Sequence, residues 1–234
     1  VLDLLAFGDA GWGDELLQGA VVTILLAISA YLLGIAIGMA GAAMKLSGSR
    51  VLRAIAGVYT TVVRGVPELL VIYLFFFGSS GAIQNVASVF GYTGYLELPP
   101  FVVGLLAVGL ISGAYSTEVI RGALQVIPEG QIEAGRAIGM TGRQIFWRIK
   151  LPQLWRFALP GLGNVWQLTL KDTSLVSVTS LAELMRMSFV AAGSTREPFI
   201  FYLTAAVLYL AMTTVSQALF QRGERAASRG VRMA

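Results

Sequence analysis

Residues 19–44 run for 26 positions without a charged side chain. As a helix rising 1.5 Å per residue, such a run is about 39 Å long, more than the ~30 Å of a bilayer's hydrocarbon core. Four further apolar segments follow, at approximately 53–78, 101–126, 154–178 and 198–221. In lipid every backbone N–H and C=O needs an internal partner, which leaves helices or a closed barrel. The apolar residues lie in continuous runs and not in alternating segments of about ten, so the helical solution is predicted. Charged residues make up 13% of the chain and its mean hydropathy is +0.74, against about 25% charged in soluble domains. The expectation is an all-α polytopic membrane bundle of five transmembrane helices, forming one domain over residues 1–234.

The charges between the runs orient them. Lys45, Arg50 and Arg53 fall in the first connection, Arg136, Arg143, Arg148 and Lys150 in the third, and Arg222, Arg225, Arg229 and Arg232 in the tail. The N-terminal stretch carries Asp3, Asp9, Asp14 and Glu15 without a basic residue, and the second connection holds only Glu97. Cytoplasmic loops collect Lys and Arg, so the N-terminus is expected outside and the C-terminus inside. Five spans require the same parity. The pI of 9.6 then reflects topology and attraction to membrane lipid, not nucleic acid. The acidic start also reads as no cleavable signal peptide. The chain has no Cys and no His, which removes disulfides, thiolate chemistry, imidazole bases and the usual metal ligands.

Between the third and fourth runs lies the charged passage "EAGRAIGMTGRQIFWRIKLP", residues 133–152. Pro128 suits a first helical turn, and Glu129 and Glu133 favour its positive end. The helix should stop near Ile138, with Gly139 in the left-handed conformation. Thr141 and Gln144 have the spacing of a capping box for a second short helix through Ile149. Pro152 should close that helix, because the residue before a proline is pushed out of the helical region. On the second helix Arg143, Trp147 and Lys150 share one side, and Ile145, Phe146 and Ile149 another. Such a corner either lies in the headgroup layer or docks a partner.

Polar residues also interrupt the spans. Pro67 should break or kink the second, with Arg64 snorkelling at its boundary and Glu68 either lining a pathway or pairing structurally. Glu118 and Arg121, three apart, can pair on one helix face near the cytoplasmic edge. Pro160, Gly161 and Gly163 should weaken the start of the fourth helix, before the polar run Asn164, Gln167, Lys171, Asp172, Thr173 and Ser174. Transporter sites are often assembled from interrupted helices at membrane depth. Lys171 and Asp172 suit the two charges of a zwitterionic amino acid, or else a mutual ion pair that holds two subunits together. The glycine rows Gly34, Gly38 and Gly41, Gly104 and Gly109, and Gly161 and Gly163 predict close helix packing.

Glu133, Ala134, Gly139, Ile149, Leu151 and Pro152 fit the pattern E-A-A-x-x-x-G-x9-I-x-L-P, with Gly135 at the second alanine. The passage resembles the EAA loop of ABC-importer permease subunits. "RGVPELL" (64–70), "AYSTEVIRGALQVIPEGQIEA" (114–134) and "LPGLGNVWQLTLKDTSLVSV" (159–178) extend the resemblance, over about 18–222, to polar amino-acid permeases. Glu68 directly after the proline is similar to the histidine/octopine type, the Q-like subunit. The resemblance implies a MetI-like bundle in a bacterial inner membrane, with the 128–152 loop coupling it to an ATPase through Glu133, Ala134, Gly135, Gly139, Ile149, Leu151 and Pro152. It implies as partners a second homologous permease subunit in a heterodimer, two ATP-binding subunits holding ATP and Mg, and a periplasmic solute-binding protein. The implied cargo is a polar, cationic amino acid (histidine, arginine, lysine, ornithine) or an opine. No Gly-Lys dipeptide exists in the chain, so a phosphate-cradling lysine must come from another polypeptide; no catalytic residue and no metal are expected here. A secondary transporter or channel is the alternative, against which five spans without an inverted repeat count.

Overall fold

A computed structural model describes residues 3–8, 11–89 and 98–227. Asp9, Glu97, Arg229 and Arg232 lie outside the described residues. Among those described, every regular element is helical: α1 (Gly13–Lys45), α2 (Arg50–Gly65), α3 (Glu68–Val89), α4 (Pro100–Val126), α5 (Glu129–Ala137), α6 (Gly142–Ile145), α7 (Leu151–Asp172), α8 (Leu184–Thr195) and α9 (Pro198–Ala227). α1, α4 and α9 are each long and apolar enough to cross a membrane, and two bent pairs raise the number to five if each is one span.

The bundle is built on α1 and α4, which pack along most of their length. Small side chains permit this. A Cβ on Gly34 would stand 2.5 Å from Ser112 Oγ, and one on Gly38 would stand 2.6 Å from Ser116 Cβ. In lipid, where apolar burial gives no drive between helices, such close approach is what holds them. α7 packs on both, α3 on α4, and α9 on α7 and α8. Gly161 and Gly163 likewise face Val119 and Phe220, and Pro160 lies inside α7 without interrupting it. The predicted weak start of the fourth helix is therefore corrected: the neighbouring helices hold the turn that proline leaves short of one donor.

The second span is no straight rod from 53 to 78. Val66 takes an extended conformation (φ −103°, ψ 140°) before Pro67, as the proline ring requires, and α2 and α3 meet at 107°.

The fourth span starts earlier than 154 and breaks later than Gly163. α6 runs through a π-helical turn, Phe146–Lys150, straight into α7. Pro152 does not close a helix; Leu151 before it stays helical (φ −63°, ψ −44°). The wider turn explains this. The Leu151 N–H reaches back five residues to the Phe146 carbonyl, which opens the ring where proline would otherwise crowd the previous turn.

The actual break follows the polar run. Thr173–Thr179 tightens into a 3₁₀ helix, Ser180 turns left-handed (φ 65°), and α8 leaves at 49°. Its first amides are all satisfied. Thr23 Oγ1 on α1 accepts from Leu184 N–H (3.2 Å), and the Glu183 carboxylate accepts from Met185 (2.9 Å) and Arg186 (2.7 Å). Leaving the two part-buried donors that Glu183 caps unpaired costs roughly 1–3 kcal/mol each, of the same order as the about 2.5–3.5 kcal/mol for placing a charged side chain in a membrane helix.

Candidate functional site

The corner between α4 and α7 is the better defined of two regions. Pro128 is the N-cap of α5, one place before the predicted first turn. Gly139 takes φ +80°; its N–H donates to Arg136 O (2.9 Å) and that of Met140 to Gly135 O (3.0 Å), a Schellman closure. The capping box forms in both directions, Gln144 N–H to Thr141 Oγ1 (3.3 Å) and Thr141 N–H to Gln144 Oε1 (2.8 Å). Gln153 Nε2 donates to Gln131 Oε1 (2.6 Å) and braces α5 against α7.

Gly135 stands at the second alanine of the pattern. The residue is buried in the elbow, where a Cβ would stand 2.9 Å from Ile149 Cδ1. The predicted grouping of Phe146 with Ile145 and Ile149 is corrected. Ile145 is buried, whereas Phe146 lies exposed against Trp147, the rings 5.7 Å apart and edge-on. Glu133, Ala134 and Ile138 of the corner are exposed as well. The corner thus presents rigid apolar knobs and a carboxylate on a braced bend.

The second region lies in the bundle. Glu68 opens α3, and the Tyr115 hydroxyl donates to its Oε1 at 3.2 Å. Arg64 lies over the same ring, 5.4 Å from its centroid, so the arginine read as a boundary charge belongs to this group. Asp172, the last residue of α7, lies within electrostatic reach of Glu68. Two acids, a phenol and a guanidinium therefore lie in one neighbourhood, where α3 begins and α7 ends.

Asn164, Gln167 and Lys171 point elsewhere. They line a groove of about 430 Å³ against Thr213, Gln217 and Glu224 of α9. The Gln167 carbonyl oxygen is buried there without a hydrogen-bond partner. Lys171 and Asp172 make no ion pair with each other; among the described residues only Lys45–Glu118 and Arg121–Glu118 do. The Thr173 hydroxyl is spent on Leu170 O (2.7 Å), and that of Ser174 on Lys171 O (2.7 Å). Glu118 and Arg121 pair as predicted (2.9 Å). Lys45 joins them from α1 and donates to Thr60 Oγ1 on α2 (2.6 Å).

Tyr115, Lys45, Glu183 and Tyr209 were missed from sequence. A tyrosine in mid-span, away from the headgroup belt, was a usable signal for Tyr115. Glu183 immediately precedes an apolar run, the N-cap position, but glutamate is not among the residues favoured there.

Residues 30–229 match the family described as binding-protein-dependent transport system inner membrane component. The chain belongs to that family. This transport component is 53% identical to the nopaline transport system permease protein NocQ of Agrobacterium fabrum, over 99% of this chain and 98% of that one. It is 44% identical to the histidine/lysine/arginine/ornithine transport system permease protein HisQ of Escherichia coli, over 96% and 98%. Its fold superposes on the crystal structure of an amino acid ABC transporter with histidines with a TM-score of 0.77, at 30% identity and with 92% of this chain and 95% of that one covered. The methionine transporter MetNI, in an inward-facing conformation, gives 0.75 at 16% identity, with 92% and 97% covered, which shows the fold alone. The chain is thus an inner-membrane permease subunit of an ABC importer with the MetI-like fold. ATP hydrolysis belongs to a separate subunit, and the family implies both an ATPase and a binding protein as partners.

Proposed function

We propose that this subunit forms one wall of a pathway for cationic amino acids or opines, beside a second, homologous permease subunit, and that the 128–152 corner docks on the ATPase. The observation that carries the pathway is that Glu68, held by Tyr115 with Arg64 over the same ring, lies within electrostatic reach of Asp172. Two carboxylates close together in a membrane bundle repel unless a cation lies between them, and the ammonium or guanidinium of such a substrate is that cation. Arg64 supplies the opposite charge for a carboxylate. The relatives named for nopaline and for basic amino acids support this substrate class. Lys171 stands apart, in the α9 groove, as a positive point on a second stretch of the same wall. For the corner, the support is its exposed Glu133, Ala134, Ile138, Phe146 and Trp147 on a bend whose angle is set by Gly139 and the capping box.

The test is ATP-driven uptake by the assembled transporter in proteoliposomes, with arginine, histidine, octopine and glutamine offered in turn. Asp172→Asn should lower uptake of arginine at least tenfold while the complex still co-purifies. Loss of the complex itself would instead assign Asp172 to subunit assembly.

A further inference from the structure

Glu183 is the one carboxylate without exposed surface among the described residues, and capping α8 explains only part of its surroundings. Its Oε2 also accepts from Tyr209 on α9 (3.3 Å) and, at 3.4 Å, shares the Thr23 hydroxyl proton on α1 with Gly19 O (3.0 Å). We propose that Glu183, Thr23 and Tyr209 form a latch that holds shut the end of the pathway opposite the coupling corner, which makes Glu183 a positioning residue for transport. The inference rests on the reading of Lys171–Ser174 as pathway wall.

The two sets of bonds differ in length and in kind. The cap bonds, at 2.7 and 2.9 Å, join Glu183 to its own helix. The tethers, at 3.3 and 3.4 Å, are the longer pair and join it to other helices. Hydrogen bonds weaken as they lengthen, so the tethers yield first, and α8 leaves with Met185 and Arg186 still capped by its own Glu183, giving up only the Leu184 bond to Thr23. A helix that stays capped avoids exposing unpaired backbone to lipid.

The tethers also sit where release would open something. Tyr209 lines a hollow of about 280 Å³ together with Lys171, Ser174, Met185 and Tyr202, and its hydroxyl lies beside Thr173. Behind the latch there is no slack: a Cβ on Gly19 would stand 3.0 Å from Leu184 Cα. The left-handed Ser180 and the 49° bend provide the hinge.

The chain contains no cysteine, so Ala206→Cys, in the wall of the hollow, gives a single reporter. The assembled transporter is labelled with a membrane-impermeant maleimide from the side opposite the ATPase, with and without vanadate-trapped nucleotide. In the nucleotide-free state, the pair Thr23→Val and Tyr209→Phe should speed labelling at least fivefold, since losing even one hydrogen bond of this kind has about that equilibrium effect. ATP turnover without binding protein should rise in parallel. Glu183→Asp, which can still cap α8 but falls short of both tethers, should do the same. Labelling that responds to vanadate but ignores all three substitutions overturns the latch alone. Labelling that ignores vanadate in the parent protein removes the pathway reading, and the latch with it.

Discussion

The Tyr115 hydroxyl donates to Glu68 Oε1 at 3.2 Å, joining the inner stretch of α4 to the first turn of α3 across the break at Pro67. The bond fixes the rotamer of a carboxylate that would otherwise be free to swing toward Asp172. Tyr115→Phe should therefore leave the complex intact and raise the KM for arginine uptake several-fold with little change in kcat. Glu68→Gln should lower both. Concentration-dependent uptake in proteoliposomes separates the two patterns.

Gly139 sits at φ +80°, where a non-glycine residue is strained by roughly 1–2 kcal/mol. Gly139→Ala should weaken co-purification of the ATPase modestly. Gly139→Pro should abolish it, because proline cannot take a positive φ and removes the donor to Arg136. Both should insert in the membrane at normal levels, as judged by quantitative blotting of membrane fractions.

Removal of the capping box is a milder change at the same corner. Thr141→Ala should destabilise α6 by about 1 kcal/mol, and ATPase turnover of the complex should become less responsive to the binding protein. Thr141→Ser should behave as the parent protein. Equal responses from the two variants would dissociate the cap from coupling.

Lys45, Glu118 and Arg121 tie α1 to α4 at the basic end of the bundle. All three side chains keep some contact with solvent, so the network should be screened and modest in energy. Glu118→Gln should lower the melting temperature of the detergent-solubilised complex, since it leaves two cations unpaired. Combination with Lys45→Met should recover part of the loss, and a double-mutant cycle measures the share.

Gly38 faces the backbone and side chain of Ser116 on α4. Gly38→Leu should prevent α1 and α4 from closing, and yield should fall sharply, because backbone rather than a flexible side-chain tip is in the way. Gly57, which has nothing near it, should accept alanine without loss.

Much of this protein is written in local patterns. Apolar runs of membrane-spanning length, the break at Pro67 and the bend at Gly139 each depend on the local sequence. Local backbone chemistry is strong enough to decide them: proline restricts its predecessor, and a left-handed turn selects glycine. The i, i+3 pair of Glu118 and Arg121 was legible for the same reason. What tertiary structure decided is where a competing long-range contact outweighs the local preference. Pro152 and Pro160 failed to stop helices because a π turn and packed neighbours offset the lost hydrogen bond. Lys171 and Asp172, adjacent in sequence, face different surroundings because successive residues on a helix lie 100° apart. Glu68 and Asp172 come within electrostatic reach of each other, and Glu183 finds Thr23 and Tyr209, only when α3, α7, α1 and α9 are assembled. No period or spacing along the chain encodes those encounters.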